Sequence, residues 1–164
     1  RKERRGQKHG SALRGEKSGV GGMLGGQSVD VEKTGEHLDA TTLDFIYRLK
    51  TGALLEAAFM MGAALGGASE AEISCAEQIG RAVGLAFQIQ DDILDETATE
   101  AELGKPLHSD EKNQKTTYVS LFGLEAAREA VRQQSEAAEQ RLREFPGETE
   151  TLAALIAYLT DRRF

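Results

Sequence analysis

The sequence lacks the residues that would build a disulfide-bonded, zinc-binding or membrane-spanning protein. Its 164 residues include a single cysteine, Cys75, so no internal disulfide can form. The three histidines, at positions 9, 37 and 108, are too scattered to join that cysteine in a zinc site. The longest weakly apolar run, residues 57–68, is shorter than the ~20 residues that a membrane-spanning helix needs. The first residues are polar, unlike a secretory signal. These absences predict a cytoplasmic protein.

Aromatic residues are scarce at 5% of the chain, and the net charge of -7 is unevenly distributed. Residues 1–20 carry seven Lys and Arg against two Glu, a local charge of +5, so residues 21–164 carry -12. An acidic body argues against a nucleic-acid-binding surface, which needs clustered Lys and Arg. We expect residues 1–19 to be a basic, poorly ordered leader. The chain as a whole is 40% apolar, which is enough for a modest core. We therefore expect residues 20–164 to form one domain.

From residue 20 onward, the apolar positions recur at helical spacing and no segment alternates as a strand would. The spacing predicts a short helix over residues 20–33, where Gly21, Gly25, Gly22 and Gly26 line small-residue faces. Capping and stop signals delimit the later helices. These are residues 39–65, begun by Asp39 or Thr41 and ended at Gly66-Gly67; residues 69–96, begun by a Ser69/Glu72 capping box; residues 117–121 and 124–145, stopped at Pro146-Gly147; and a last helix begun by Thr149 and reaching Arg162. The sequence therefore predicts an all-α protein, an antiparallel helix bundle.

Three carboxylates follow an apolar helical face, which is an unusual place for negative charge. Asp91, Asp92 and Asp95 are spaced three and four apart, so their side chains project from one side of the helix and repel each other. A cation would reverse that repulsion. Carboxylates without histidine or thiolate favour a hard ion such as Mg²⁺, which also binds water and phosphate oxygens. The alternative is an acidic, solvated helix end that binds nothing.

Three lysines could complete an anion site with these carboxylates. Lys50 precedes Thr51 and Gly52 within a predicted helix, Lys105 follows the carboxylates in a loop, and Lys115 precedes Thr116. Considered alone, each is expected to be an ordinary surface lysine. Together with a bound metal they would suit a diphosphate, because metal and lysines would share the charge of the phosphate oxygens.

The order of these motifs resembles that of the trans-isoprenyl diphosphate synthases, particularly bacterial farnesyl and geranylgeranyl diphosphate synthases. The resemblance covers residues 20–163 and rests on several segments in a fixed order. They are GMLGGQSVDV (22–31), RLKTGALLEAA (48–58), GLAFQIQDDILDE (84–96), LGKP (103–106), SDEKNQKTTYVSLFGLEAAR (109–128) and LAALIAYLTDRR (152–163). It implies the helical isoprenoid synthase fold and an enzyme of isoprenoid biosynthesis that transfers prenyl groups.

The resemblance also implies roles for the charged residues. Asp91, Asp92 and Asp95 match the second aspartate-rich motif of the family, which binds the Mg²⁺ that bridges the allylic diphosphate. Lys105 and Lys115 match lysines that face this diphosphate. The reaction would be the head-to-tail condensation of an allylic diphosphate with isopentenyl diphosphate, by ionisation, attack of the double bond and loss of a proton.

The segment around the predicted mid-helix glycine matches a helix kink in the family. There Lys50 would contact diphosphate, and the Thr51 hydroxyl and the Gln88 amide would stabilise the allylic carbocation. Phe87 matches the phenylalanine that flanks the five-carbon substrate, although spacing alone equally predicts a core residue.

The chain also departs from the family pattern. The first aspartate-rich motif and the Gly-Lys-Arg segment that holds isopentenyl diphosphate are not present in this sequence. The helix bundle is therefore expected to be incomplete. The residues before the first motif, which set the length of the prenyl product in the family, are missing with it. Three interpretations stay open: a synthase chain that acts as a homodimer or with another synthase chain, a non-catalytic partner subunit, and a helical scaffold whose acidic patch binds nothing.

Overall fold

The computed structural model describes residue 15, residues 17–97 and residues 115–161 of the chain. Within these ranges the ordered elements are all helical, which confirms the all-α prediction. The helices are α1 (Met23–Glu32), α2 (Ala40–Tyr47), α3 (Ala53–Leu65), α4 (Glu70–Thr97), α5 (Tyr118–Phe122), α6 (Leu124–Glu144) and α7 (Glu150–Thr160), with a π-helical turn, Arg48–Gly52, between α2 and α3. Residues 1–14 and residues 98–114, which include Lys105, lie outside the described residues.

Local capping signals fix where the main helices begin. The Asp39 side chain accepts a hydrogen bond from the backbone N–H of Thr42 at 2.7 Å and caps α2. Ser69 and Glu72 form the predicted capping box, because the Ser69 backbone N–H donates to Glu72 and the Glu72 N–H donates to the Ser69 hydroxyl at 3.3 Å. Thr149 precedes α7 as predicted but makes no side-chain capping hydrogen bond. The predicted helix boundaries are therefore confirmed to within a few residues.

The predicted helix over residues 39–65 is interrupted in its middle. Residues Arg48–Gly52 form one π-helical turn, a wide turn that shifts the register of the helix and often occurs at functional sites. Gly52 is buried there, and a Cβ atom at Gly84 of α4 would lie 2.8 Å from the Gly52 Cα atom. The prediction of a continuous α-helix was wrong at this turn, and the π-helical turn lies at the residues where the family resemblance implies a kink.

Helix α4 is the centre of the structure and packs most extensively against α3 and α6. Its Ile79, Val83 and Ile89 are almost fully buried, and each such side chain contributes about 1.5–3 kcal/mol through burial. Gly80 lets α3 approach closely, because a Cβ atom there would lie 2.8 Å from the Glu56 Cα atom. The long carboxylate-bearing helix is thereby packed closely between α3 and α6.

Helix α6 buries only a thin stripe against the rest of the bundle. Its buried residues are Ala127, Val131, Ala138 and Leu142. The opposite face is charged, and Arg132 there forms ion pairs with Glu129 and Glu136. Among the residues that the structure describes, every helix is too short or too polar to span a lipid bilayer.

Ordered contacts extend back into the segment that composition assigns to the basic leader. The Lys17 ammonium pairs with buried Glu56 of α3 and lies 2.7 Å from Glu77 of α4. Burial lowers the pKa of Lys17, but its hydrogen bonds to Glu56 and Glu77 outweigh burial, so the pKa lies above its ordinary value. Arg81 also contacts Glu56, at 3.1 Å. The Glu56 carboxylate is therefore buried together with compensating positive charge.

Candidate active site

Helix α1, the π-helical turn and the chain entering α5 bring two lysines to one carboxylate. The Lys50 ammonium lies 2.7 Å from Asp30 Oδ2, and the Lys115 ammonium lies 3.5 Å from the same oxygen. All three side chains are partly buried, with 32%, 31% and 17% of the Lys50, Lys115 and Asp30 side chains exposed. Residues far apart in sequence thus form one charge cluster with an excess of positive charge.

This cluster depends on the close approach of α1 to the π-helical turn. Gly26 lies one turn before Asp30 on α1 and is buried. A Cβ atom at position 26 would lie 2.4 Å from the Lys50 backbone nitrogen and 2.7 Å from Leu49 Cβ. The predicted close approach at a small-residue face is confirmed for Gly26; Gly22 is also buried but lies against the Lys17 backbone, and Gly21 is exposed. A side chain at position 26 would therefore require α1 or the π-helical turn to shift.

The electrostatics of the cluster favour an ionised Asp30. Burial raises the pKa of the Asp30 carboxyl, but the hydrogen bond and charge of Lys50, together with Lys115, outweigh burial and hold the pKa below its ordinary value. Asp30 is therefore a counter-ion that keeps two lysines close together, which would otherwise repel each other.

The Asp30 ion pairs are expected to make stability depend on pH in acid. Because the folded pKa lies below that of a free carboxyl, about 3.9, their contribution is fully present above about pH 4 and is lost as the pH falls through the folded pKa. We expect Asp30→Asn to lower the urea midpoint at pH 6 and to lower it less at pH 3. Denaturation curves of both proteins at the two pH values check this; an equal loss at both would contradict it.

Thr51 and Gln88 join the π-helical turn to α4. The Thr51 hydroxyl donates a hydrogen bond to the Gln88 side-chain oxygen at 2.8 Å, and both residues are half-buried. Phe87, the neighbour of Gln88 on α4, is half-buried as well. The structure therefore brings Thr51 and Gln88 together beside Lys50.

The three carboxylates of α4 occupy different environments. Asp92 and Asp95 are buried, each 5% exposed, whereas Asp91 is half-buried. Asp92 Oδ2 accepts hydrogen bonds from the Tyr47 hydroxyl at 2.5 Å and from the Tyr118 backbone N–H at 2.8 Å. In the part of the chain that the structure describes, no three His, Cys, Asp or Glu side chains are grouped so that they alone could hold a metal ion. A cation held here would need further oxygen ligands from phosphate or water.

A small cavity of about 60 Å³ is lined by four of the nine predicted site residues. Lys50, Gln88, Asp92 and Lys115 line it, together with Asp30. Thr51 contacts this lining through Gln88. Asp91, Asp95 and Phe87 lie on α4 outside the cavity lining, and Lys105 lies outside the described residues. Lys50 and Lys115 thus lie around one cavity with Asp92, the member of the aspartate motif that lines it.

Comparison with known proteins shows the family to which the chain belongs. The family model described as Polyprenyl synthetase matches residues 13–159, which is most of the chain. The chain belongs to the polyprenyl synthetase family.

Two kinds of relative support this membership. The farnesyl diphosphate synthase of Escherichia coli (strain K12) is 39% identical over 149 residues, which cover 88% of this chain and 50% of that protein. The solved FPP/GFPP synthase of Zymomonas mobilis is 30% identical, with a TM-score of 0.78 over 94% of this chain and 51% of its own. The geranyltransferase of Helicobacter pylori, solved with magnesium and isoprenyl diphosphate, is 28% identical, with a TM-score of 0.73 over 92% of this chain and 48% of its own. The chain spans about half the length of these polyprenyl synthetase relatives.

Two residues of this candidate site were not predicted as site residues from the sequence. Asp30 lies four residues after Gly26, so helical spacing alone puts both on one face of α1 and could have found it. Tyr47 lies three residues before Lys50 and gives no such signal, because its partner Asp92 is 45 residues away. Its hydrogen bond to Asp92 therefore becomes visible only in the folded chain.

Proposed function

We propose that this chain binds an allylic diphosphate through Mg²⁺ and lysine side chains, for condensation with isopentenyl diphosphate. The observation that carries the proposal is the convergence of Lys50 and Lys115 on Asp30 in a cavity that Gln88 and Asp92 also line. Two ammonium groups held close together suit a ligand with several negative oxygens. Membership of the polyprenyl synthetase family supports the same ligand class.

The carboxylates of α4 have the chemistry that Mg²⁺ requires. Asp91, Asp92 and Asp95 supply hard oxygen ligands, with neither imidazole nor thiolate among them. Because these side chains do not form a complete metal cage alone, Mg²⁺ would be held jointly by the motif and the diphosphate, which is its usual mode with phosphate substrates. When bound, the metal supplies charge that stabilises the leaving diphosphate.

The other residues have separate tasks in this proposal. Lys50 and Lys115, with Lys105 of the loop, bind diphosphate oxygens and offset the charge that develops as the allylic bond breaks. Thr51 and Gln88 present oxygen atoms at the π-helical turn, where they would stabilise an allylic carbocation. Phe87 would flank the five-carbon substrate and help to exclude water.

A partner role is supported by a different feature. Three apolar side chains at helical spacing are exposed on and just before α1, with 85% of Val20, 53% of Leu24 and 63% of Val31 accessible. A stripe of exposed apolar side chains is typical of a surface that a second chain covers. We therefore propose that the chain acts in association with a second copy or with another synthase chain.

Calorimetric titration with inorganic pyrophosphate tests the ligand assignment. We expect binding that requires Mg²⁺ and disappears with EDTA. Asp91→Asn should weaken it by about tenfold, since one charged oxygen ligand is lost. Asp44→Asn, at an exposed position of α2, is the control and should bind like the unchanged protein. Equal affinity with and without Mg²⁺ would contradict the proposal.

An activity assay separates the synthase interpretation from the partner interpretation. The purified chain would be mixed with isopentenyl and allylic diphosphates and Mg²⁺, alone and with a full-length synthase. Product formed by the chain alone would exclude a purely non-catalytic partner. A change in activity only when both proteins are present would support the partner role.

A further inference from the structure

Two buried side chains form a hydrogen-bonded unit in the wall of the cavity. Tyr47, the last residue of α2, is 7% exposed and packs in the apolar core formed by α2, α4 and α6. Its hydroxyl donates to Asp92 Oδ2 at 2.5 Å. The same oxygen accepts the Tyr118 backbone N–H at 2.8 Å, and this N–H also lies 3.3 Å from the Tyr47 hydroxyl oxygen. The three groups, Tyr47 O–H, the Asp92 carboxylate and the Tyr118 N–H, are called the Tyr47–Asp92 unit below.

The Tyr47–Asp92 unit holds the chain that carries Lys115. Tyr118 is the first residue of α5 and comes three residues after Lys115. Between them, the Thr116 hydroxyl accepts the Leu38 N–H at 3.0 Å, which ties the same segment to the residues before α2. Lys115 is therefore placed by two anchors, of which one passes through a carboxylate of the aspartate motif.

We propose that Tyr47 is a positioning residue for the diphosphate site: through Asp92 it fixes the Tyr118 amide, and so sets where the Lys115 ammonium lies beside Lys50 and Asp30. The inference rests on the proposed function in one respect, that Lys115 binds diphosphate. It gives Asp92 a task besides any contact with a cation, since its Oδ2 atom is committed to Tyr47 and Tyr118.

Physical chemistry gives the Tyr47 hydroxyl a large effect on this arrangement. Without the Tyr47 hydroxyl, the buried Asp92 carboxylate would lose one hydrogen-bond donor. Of the Tyr47–Asp92 unit, only the Tyr118 N–H would still donate to it. A buried charge with too few donors rearranges or draws in water. The segment from Lys115 to Tyr118 would then hold its position less firmly, although the ring of Tyr47 would still fill the core.

Tyr47→Phe tests the proposal because it removes the hydroxyl and keeps the ring. We expect Mg²⁺-dependent pyrophosphate affinity to fall by about fivefold. In a Lys115→Met background, Tyr47→Phe should change affinity by less than about twofold, because Tyr47 acts through Lys115. Tyr158→Phe, at an exposed position of α7, is the matched control and should have no effect. An equal loss with and without Lys115 would overturn the proposal, since a merely structural tyrosine predicts that result.

A second measurement needs no ligand. Amide hydrogen exchange at Tyr118 should be about tenfold faster in Tyr47→Phe, while the Ala138 amide in α6 should be unchanged. Unchanged exchange at Tyr118 would overturn the positioning role. If the unchanged protein bound no pyrophosphate, the proposed function would fail, and faster exchange at Tyr118 would still support the anchoring of the Lys115 segment by Tyr47.

Discussion

Replacing Gly26 with alanine is expected to lower the free energy of unfolding by about 3 kcal/mol, a large fraction of the stability of a chain this size. The added Cβ atom would lie 2.4 Å from the Lys50 backbone nitrogen and 2.9 Å from the Leu49 carbonyl carbon. These neighbours are backbone atoms of the π-helical turn and cannot rotate away as a side chain can. Helix α1 would have to move outward, and Asp30 would be separated from Lys50. Guanidinium denaturation measures the loss.

A second glycine in the same protein provides the control. Gly62 lies inside α3, is exposed, and has no atom within 4 Å of an added Cβ. Alanine there should be neutral or stabilise by up to about 1 kcal/mol, because alanine favours the helix. If Gly26→Ala and Gly62→Ala behaved alike, α1 would not pack on the π-helical turn as described.

The parts of the fold that depend on neighbouring residues could be predicted from the sequence. Asp39 and the Ser69/Glu72 pair signal helix starts through hydrogen bonds that span three residues, so a short window contains the whole cause. The π-helical turn could not be predicted in this way. Its Gly52 is packed against Gly84 of α4, 32 positions along the chain, and no spacing rule within residues 39–65 records that contact.

The site shows the same division between local and distant causes. Lys50, Gln88, Asp92 and Lys115 were predicted as site residues, and they line one cavity. What the sequence did not reveal is how they are held. Asp30 compensates Lys115 from 85 positions away, and such a counter-ion becomes visible only when the chain is folded.

The charge balance of the cluster links its stability to ligand binding. Asp30 holds Lys50 and Lys115 close together, although their two positive charges would otherwise repel each other. An arriving diphosphate would find both ammonium groups already in place, so little side-chain entropy would be lost on binding. A substitution at Lys50 should therefore affect affinity more strongly than removal of one exposed charge usually does.

Lys50→Met is expected to weaken Mg²⁺-dependent pyrophosphate binding by about a hundredfold, or about 2.7 kcal/mol. The change removes one cation from the anion site. It also leaves Lys115, 3.5 Å away, as the remaining lysine partner of the Asp30 carboxylate in this cluster. The negative charge of Asp30 would then repel the incoming diphosphate more strongly. Calorimetric titration with pyrophosphate at constant Mg²⁺ and constant ionic strength measures the effect, since ionic strength alone changes the affinity for an anion.

Two further variants decide whether Lys50 acts on the ligand. Arg143→Met removes an equal charge from an exposed position of α6 and should leave affinity unchanged within about twofold. In the double variant Lys50→Met/Asp30→Asn, the Asp30 carboxylate that would face the diphosphate is gone, so part of the lost affinity should return. No recovery would mean that Asp30 only holds the lysines in place. An affinity of Lys50→Met equal to that of the unchanged protein would mean that Lys50 serves the packing of α1 and does not bind the anion.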